Sequence, residues 1–206
     1  MSWWSDHVVP RLVDVTCGAE ATGPLRAAAC APLAGRVLEI GFGSGLNLPH
    51  HPAAVTEVLA VEPSDLAWRL AGPRLEDARP RVTRVGRDGH HLDLPTGSVD
   101  AVLLTFTLCT VAEADRVLAE ARRVLRHEGR LSFVEHGLAP DPHVVQWQRR
   151  LEPLQRRLAG GCHLTRDPAA AVRRAGFDVE VQARYLPGPA LAHPFTYVYA
   201  GEAVPA

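Results

Sequence analysis

The chain has 206 residues, of which 47% are hydrophobic and 22% are charged, values typical of one soluble globular domain. Its 22 basic and 23 acidic residues give a formal net charge of -1, which disfavours a non-specific nucleic-acid binder. Every basic residue is Arg. The absence of Lys excludes Schiff-base chemistry, pyridoxal-phosphate chemistry and any P-loop that depends on its Lys.

The N-terminal residues and the cysteines predict a cytoplasmic protein without a leader or a membrane span. Residues 1–10 have neither a basic flank nor an apolar core, so they do not resemble a signal peptide. The longest nearly apolar stretch, residues 101–112, is far shorter than the roughly 20 residues that a membrane span needs. We expect Trp3 and Trp4 to contact the core rather than a membrane. The four cysteines form no C-x-x-C pair and are expected to be reduced.

Strand-like and helix-like patterns alternate along the chain. The N-terminal part predicts helices over residues 5–17 and 24–33. The central part predicts strands over 36–40, 55–63, 81–86, 98–107 and 130–136, with helices over 64–78 and 113–129. The remainder predicts helices over 143–158 and 168–175, then strands over 177–186 and 194–202 with no helix between them.

This order predicts an α/β fold with a doubly wound, seven-stranded, mostly parallel sheet covered on both faces. The last two strands are expected to form an antiparallel hairpin at one edge of the sheet. We expect a single domain over residues 1–206. Its segment at about 137–176 is longer than a crossover requires, so we interpret it as an insert on the substrate side of the site.

The most informative segment follows the first predicted strand. Glu39 ends that strand, and Gly41, Gly43 and Gly45 come at every second position after it. A dinucleotide fingerprint would place Gly or Ala at position 46, which is Leu46 here. The loop also lacks a basic residue, and the carboxylate before it would repel a pyrophosphate. A ligand carrying an ammonium and a sulfonium fits this charge pattern, which indicates S-adenosylmethionine.

Two further acidic residues follow the next two predicted strands. Glu62 ends the second strand, where its carboxylate can accept hydrogen bonds from both hydroxyls of a ribose. Asp88 follows the third strand, where it can accept a hydrogen bond from the exocyclic amine of adenine. The ordered set of glycine loop and carboxylates at strand ends is more specific than any one of its members.

The motifs E-x-G-x-G-x-G, V-E-P-S and R-D-G, in this order over residues 35–136, resemble those of the class I S-adenosylmethionine-dependent methyltransferases. The resemblance implies their Rossmann-like fold and S-adenosylmethionine as the cofactor. It implies that Glu39 binds the methionine ammonium, Glu62 the ribose, and Asp88 with Gly89 the adenine. The predicted cofactor site comprises Glu39, Gly41, Phe42, Gly43, Gly45, Asn47, Glu62, Pro63, Ser64, Asp88, Gly89 and Thr105.

Three later segments are similar to a narrower family, the alkyl-thiol S-methyltransferases of the animal endoplasmic reticulum. The similar segments are TFTLCTV (105–111), FVEHGLA (133–139) and LEPLQRRLAGGCHLTRDP (151–168), together with the closing FTYVYAGE. GGCHLTRD is the most specific part. The sequence departs from that family in lacking its N-terminal hydrophobic anchor, which leaves membrane attachment and the lipophilicity of the substrate open.

The candidate catalytic residues are two histidines on the acceptor side. His136 follows the fifth predicted strand and would face the transferring methyl group; the alternative is a hydrogen-bonded pair with Glu135 at the strand end. His163 lies in the insert and is either a base on the substrate side or a structural loop residue. Cys109 and Cys162 are interpreted as small buried apolar residues rather than nucleophiles.

No metal site is predicted from the sequence. The pairs His50–His51 and His90–His91 lack a third ligand at a spacing suited to a metal, so we interpret them as loop histidines. The four arginines at 149, 150, 156 and 157 are interpreted as a solvated helix face, with attraction of an anionic substrate as the alternative.

The sequence therefore predicts an S-adenosylmethionine-dependent methyltransferase acting on a small-molecule acceptor, by S-methylation of an apolar thiol. The alternative is O-, N- or C-methylation of a lipid-like or quinone-like acceptor. A nicotinamide-dependent dehydrogenase and a catalytically silent cofactor-binding protein remain competing hypotheses. We predict no nucleic-acid partner and no stable membrane insertion, and the oligomeric state stays open.

Overall fold

The structure is a computed structural model that describes Trp4, residues 7–18 and residues 20–206. Its seven strands are β1 Gly35–Ile40, β2 Val55–Val61, β3 Arg81–Gly86, β4 Val99–Thr105, β5 Leu125–His136, β6 Phe177–Tyr185 and β7 Tyr197–Pro205. They form one sheet in the order β3-β2-β1-β4-β5-β7-β6. Strands β1 to β5 pair in parallel, and β7 runs antiparallel to both β5 and β6. The predicted fold class is confirmed.

The described helices are α1 Val9–Cys17, α2 Gly23–Cys30, α3 Asp65–Leu70, α4 Gly72–Glu76, α5 Ala114–Val124, α6 Pro142–Leu158, α7 Pro168–Arg174 and α8 His193–Thr196. Side chains that precede three of them accept hydrogen bonds from backbone amides of the first turn. These N-caps are Ser64 before α3, Asp141 before α6 and Asp167 before α7. In the part of the chain that the structure describes, no helix is both long enough and apolar enough to cross a bilayer.

Both faces of the sheet are buried, as a doubly wound fold requires. Alternate residues of β1 point to opposite faces, so Leu38 and Ile40 lie in one apolar cluster while Val37 lies in the other. Helices α5 and α7 cover the first face, and α2 covers the second. The central strands are therefore almost wholly apolar, which explains why their sequences read as continuous hydrophobic runs.

Two helices differ from their sequence predictions. The helix predicted over 113–129 ends at Val124, and β5 begins at Leu125, whose backbone is extended. Gly129, the last residue of that predicted helix, lies within β5, where a Cβ would come within 2.9 Å of the Asp100 carbonyl oxygen. The helix predicted over 64–78 is two helices separated at Ala71, because Pro73 has no N–H to donate back to the preceding turn.

The two ends of the chain also differ from the predictions. Strand β7 begins at Tyr197 rather than at 194, because Pro194 occupies the first turn of α8, a helix that was not predicted. Trp4 is 38% exposed, and its indole donates to the Leu158 carbonyl oxygen, so it is not a core residue. Trp3 and the first two residues of the helix predicted over 5–17 lie outside the described residues.

The candidate site lies at the edge of the sheet that is formed by the carboxyl ends of the parallel strands. The chain passes from β1 outward to β2 and β3, then returns to β4 on the other side of β1. The carboxyl ends of β1 and β4 therefore flank the point where the strand order reverses, which is where open α/β sheets bind ligands. Glu39, Glu62, Thr105 and His136 all lie at or just before this edge.

Candidate active site

The glycine loop after β1 adopts backbone conformations that suit glycine. Gly41, Gly43 and Gly45 have φ values of +79°, +60° and +76°. A Cβ on Gly41 would collide with the Thr107 side chain, whose hydroxyl donates to the Ile40 carbonyl oxygen. A Cβ on Gly43 would meet no atom closer than 3.9 Å. The loop is therefore packed against the β4 end at Gly41 and open on the side of Gly43, where a ligand can approach the backbone.

A buried polar network lies beneath this loop. The Asn47 amide nitrogen donates to Glu39 Oε1 and to Thr105 Oγ1, both at 2.9 Å. Arg26 donates to Asn47 Oδ1 at 2.8 Å and to Thr105 Oγ1 at 3.2 Å. Glu39 is 1% exposed. Its Oε2 has no hydrogen-bond partner among the described residues, and His51 Nε2 lies 3.5 Å away.

Glu62 is fixed at the end of β2 by two backbone amides. Its Oε2 accepts from Gly43 N and its Oε1 accepts from Ser64 N, each at 2.7 Å. Burial raises the pKa of this carboxyl group, and the two amide donors oppose that shift. Each carboxylate oxygen retains acceptor capacity for a ligand hydroxyl. Pro63 and Ser64 follow it, and Ser64 caps α3.

Asp88 and Gly89 lie beyond β3, with Asp88 open to solvent. The side chain of Asp88 is 63% exposed, and the backbone and ring nitrogens of His90 both contact its Oδ1. Those contacts with His90 lower the pKa of Asp88. A Cβ on Gly89 would come within 2.8 Å of Ile40 Cγ2, so glycine is needed for this loop to pack on β1.

The two phenylalanines near the site have different roles. Phe42, predicted to contact the cofactor, is 3% exposed and packs on Trp68 with a ring-centroid distance of 5.2 Å, on the core side of the loop. Phe106 has a φ of +54°, a strained value for a residue with a side chain. Its ring lies between the Arg26 guanidinium at 5.5 Å and the His136 ring at 4.9 Å. Sequence reasoning missed both Arg26 and Phe106.

Glu135 holds the loop that follows β4. It is fully buried, and its carboxylate accepts from the backbone amides of Thr107, Leu108 and Cys109 at 2.8, 2.8 and 3.1 Å. Burial raises the pKa of Glu135 to about 7, although the three amides act in the opposite direction. The loop that carries Phe106 and Cys109 is therefore fixed from β5.

A cavity of about 470 Å³ opens beside this loop, within the size range of small-molecule sites. Leu108, Ala112 and Ala171 give it an apolar surface. Cys109 and His136 line it as well. Charged residues of the 113–116 and 166–174 segments also line the cavity.

Two cysteines and a histidine meet at this cavity. One ligand atom from each of Cys109, His136 and Cys162 lies within 4.8 Å of the other two, and Cys162 Sγ is 3.9 Å from His136 Nδ1. The Cys109 thiol and the neighbouring His136 lower the pKa of Cys162 to about 5. Sequence reasoning placed both cysteines as packing residues and predicted no metal ligands, because the three residues come from segments far apart in the chain.

His163 contacts a carboxylate outside this group. Its Nδ1 lies 3.2 Å from Glu152 Oε1, and Glu152 Oε2 accepts from the backbone N–H and the hydroxyl of Thr165. Burial raises the pKa of Glu152, but the hydrogen bonds from Thr165 and His163 outweigh it and lower the pKa overall. His163 is not among the residues that line the cavity, so the structure does not bring the two predicted catalytic histidines together.

Comparison with known proteins agrees with this arrangement. Residues 38–133 match the model of a methyltransferase domain. The chain is 32% identical over 173 residues to human thiol S-methyltransferase TMT1A, a match that covers 80% of this chain and 69% of the relative. The chain belongs to the class I S-adenosylmethionine-dependent methyltransferases. The resemblance found in the sequence is thereby confirmed.

Two further relatives and one crystal structure extend the comparison. Rat thiol S-methyltransferase TMT1B is 34% identical over 74% of this chain and 64% of its own length. Demethylmenaquinone methyltransferase of Thermobifida fusca is 32% identical over 61% of this chain and 49% of its own. A methyltransferase of Thermotoga maritima superposes with a TM-score of 0.67 at 21% identity, covering 98% of this chain and all of that one. The chain thus spans 64% to 69% of the length of the thiol methyltransferases described.

The residues of this methyltransferase fit the family's cofactor. The orphaned Oε2 of Glu39 is a buried anionic acceptor, which a ligand ammonium would satisfy. The open side of Gly43 leaves room for a ligand next to the Glu62 carboxylate. S-adenosylmethionine is the cofactor of the family, and these two features match its ammonium and its ribose. The individual roles of the predicted cofactor residues stay predictions.

Proposed function

We propose that this protein transfers a methyl group from S-adenosylmethionine to the sulfur of a small, apolar thiol. One observation carries the proposal: the cavity histidine is not arranged as an oriented general base. His136 has Cys162 Sγ within contact distance of Nδ1, and no carboxylate contact with it occurs among the described residues. His163 has a carboxylate partner in Glu152 but does not line the cavity.

A thiol is the acceptor that tolerates this arrangement best. A thiol with a pKa of about 8.5 is already a few per cent thiolate at neutral pH, whereas a phenol, an alcohol or an ammonium needs a base to release its proton. The cofactor supplies the activated methyl group: the acceptor sulfur bonds to its carbon while the sulfonium–methyl bond breaks and leaves its electron pair on the cofactor sulfur. The chain's residues mainly bind and orient the two reactants.

The apolar part of the cavity supports a hydrophobic acceptor. Leu108, Ala112 and Ala171 form this part, beside the charged residues of the 113–116 and 166–174 segments, and the volume of about 470 Å³ suits a small molecule. Two thiol S-methyltransferases among the relatives support the same acceptor atom. The relative that methylates demethylmenaquinone supports a second candidate, C-methylation of a quinone-like acceptor.

Acceptors that differ only in the nucleophilic atom test the proposal. Hexanethiol, hexanol and hexylamine share one carbon chain, as do thiophenol, phenol and aniline. We expect mass spectrometry to detect methylated product from the thiols alone. The midpoint of the rate against pH, measured from pH 6 to 9, should move with the pKa of the thiol used. Turnover of a phenol, an amine or a quinone without turnover of any thiol would contradict the assignment.

The same assay separates an enzyme from its competing hypotheses. Titration calorimetry should show binding of S-adenosylhomocysteine and no binding of NAD. Binding without methyl transfer to any acceptor would favour a silent cofactor-binding protein, and tight NAD binding would favour a dehydrogenase. His136→Ala should slow thiol turnover by less than the ~10⁴-fold that one acid–base group supplies at most, because a thiolate forms without it.

A further inference from the structure

We propose that Cys109, His136 and Cys162 bind a soft divalent metal ion of the zinc class, with one coordination position open to the cavity. The acceptor thiolate would occupy that open position. The metal site is argued from the geometry of the three side chains, and only the identity of its fourth ligand rests on the proposed function.

The ligand atoms are already close to the separations that zinc imposes. Zn–S and Zn–N bonds of about 2.3 and 2.0–2.1 Å at tetrahedral angles place a sulfur and a nitrogen about 3.6 Å apart. Cys162 Sγ and His136 Nδ1 are 3.9 Å apart, and all three ligand atoms lie within 4.8 Å of one another. Shifts of at most about 1 Å, within the reach of side-chain torsions, would bring the three ligands to bonding distance.

The backbone that carries Cys109 and Cys162 is fixed by hydrogen bonds from outside the group. The His163 amide donates to the Cys109 carbonyl oxygen at 2.7 Å, which joins the two cysteine segments directly. The Cys109 amide donates to the buried carboxylate of Glu135. Arg166 donates to the carbonyl oxygens of Leu108 and Val111, and so ties the Cys162 segment to the loop after β4. The two thiols are therefore held together before any ligand arrives.

The number of the ligands and their position at the cavity indicate a reactive site rather than a structural one. Structural zinc sites have four protein ligands, whereas catalytic sites have three and leave one position for water or substrate. Cys109 and Cys162 are both buried, at 2% and 4% exposure. Cys109 and His136 line the cavity and Cys162 does not, so an open position would face the cavity, which is the space proposed for the acceptor.

A metal at this position would supply what the cavity lacks. Two cysteine thiolates neutralise the charge of a divalent ion, and a third, exogenous sulfur is a favoured ligand of such an ion. When the acceptor S–H coordinates, its proton passes to the solvent and its sulfur stays bound as a thiolate. Methylation converts that thiolate to a neutral thioether, a weaker ligand, which favours release of the product.

Cobalt binding tests the site without an activity assay. The full-length protein, reduced and stripped of metal, is titrated with Co²⁺ under anaerobic conditions. We expect one equivalent to bind per chain with a thiolate-to-cobalt charge-transfer band in the near ultraviolet, and Zn²⁺ to displace it. Cys109→Ser, Cys162→Ser and His136→Ala should each weaken binding by more than the roughly 10- to 100-fold that loss of a ligand's hydrogen-bonding partner costs.

A buried cysteine outside the group provides the matched control. Cys30 is as deeply buried as Cys109 but lies under the glycine loop, with its sulfur 4.0 Å from the Asn47 carbonyl oxygen. Cys30→Ala should retain full metal binding, and circular dichroism should show that every variant compared is folded. Binding without a charge-transfer band, equal loss in Cys30→Ala, or a Cys109–Cys162 disulfide in freshly reduced protein would overturn the metal site.

Two further measurements separate this inference from the proposed function. Addition of hexanethiol to the cobalt-loaded protein should shift the absorption spectrum, whereas hexanol should not. If thiols are methylated but the protein binds no metal, the metal site is wrong and the thiol assignment stands. If the metal binds but hexanethiol leaves the spectrum unchanged and is not methylated, the thiol ligand and the proposed function fail while the metal site stands.

Discussion

The two halves of the candidate site are held together by different interactions. On the cofactor side, Glu62 accepts two backbone amides at 2.7 Å, and Asn47 joins Glu39 to Thr105 through bonds of 2.9 Å. On the acceptor side, Cys162 Sγ and His136 Nδ1 lie 3.9 Å apart at the cavity, and the short hydrogen bonds hold the surrounding chain instead. Glu135 accepts from three amides of the loop after β4, and Glu152 accepts two hydrogen bonds from Thr165. A charged, polar cofactor demands directional hydrogen bonds from side chains, whereas the apolar acceptor that we propose would need few.

This difference predicts separable effects of substitution. Changes on the cofactor side should alter cofactor affinity or stability, because Glu62, Asn47 and Thr105 have fixed hydrogen-bond partners there. Changes on the acceptor side should alter turnover and leave cofactor affinity unchanged. The following variants test that separation, beginning with the largest expected effect.

The glycine loop offers a matched pair of substitutions. Gly41→Ala combines a strained φ of +79° with a collision against Thr107, and should lower the free energy of unfolding by about 3 kcal/mol. Gly43→Ala has a φ of +60° but no collision, and should cost about 1 kcal/mol. Urea denaturation measures both. Gly43→Ala should nevertheless weaken S-adenosylhomocysteine binding, because its methyl group enters the open side of the loop. Equal losses of stability in the two variants would contradict the difference in packing between Gly41 and Gly43.

The carboxylate at the end of β2 should dominate cofactor affinity. Glu62→Gln should weaken S-adenosylhomocysteine binding by about 1.5–3 kcal/mol, the value of hydrogen bonds to a charged group, or roughly 10- to 150-fold. Titration calorimetry provides the measurement. Glu57→Gln is the control, since Glu57 lies at the other end of the same strand and pairs with Arg36. Unchanged affinity in Glu62→Gln would remove this residue from the cofactor site.

The position of the predicted cofactor residues at the carboxyl ends of neighbouring strands was predictable from the sequence, because its signals are local. The glycines and Glu39 lie within seven consecutive residues, and each carboxylate follows an apolar run that predicts a strand. What could not be predicted is which side chains from other elements contact these residues. Arg26 comes from α2, and its burial against Asn47 and Thr105 depends on how that helix packs on the sheet. In the sequence, nothing about a basic residue on a short helix indicates that it is buried in a polar network.

The acceptor side was less predictable because tertiary structure assembles it. Cys109 follows β4, His136 is the last residue of β5 and Cys162 follows α6, and no spacing in the sequence relates them. The end of α5 was mispredicted for a related reason. Apolar residues continue through Val124 and Leu125 at helical spacing, so the sequence pattern does not indicate that the helix ends there. The backbone becomes extended at Leu125 because β5 pairs with β4.

Glu152 tests whether the acceptor-side loop is a positioning element. Its carboxylate accepts two hydrogen bonds from Thr165 and contacts His163, so Glu152→Gln should lower stability by about 1 kcal/mol. The ratio kcat/KM for thiols should fall several-fold with no change in S-adenosylhomocysteine affinity. Glu128→Gln, on an exposed position of β5, is the control. A parallel loss of cofactor affinity would show that the two halves of the site are not separable.

The smallest expected effect is an opposite pH dependence of the two carboxylates. Burial raises the pKa of Glu62, and hydrogen bonds lower that of Glu152 despite its burial, relative to an unfolded value of about 4.3. A carboxyl group with a lowered folded pKa stabilises the fold above the unfolded pKa and loses this contribution as the pH falls through the folded pKa. One with a raised folded pKa disfavours folding when it is ionised, so the fold gains stability as the pH falls from neutral towards the unfolded pKa. The unfolding free energy of wild type minus that of Glu152→Gln should therefore rise with pH up to about 4.3, the unfolded value, while the same difference for Glu62→Gln should fall with pH above it. Denaturation of the cofactor-free protein across this range measures both slopes. A hydrogen bond lost in either variant shifts its unfolding free energy by a constant amount and does not change the slope against pH. Two slopes of the same sign would contradict the contrast between the cofactor side and the acceptor side.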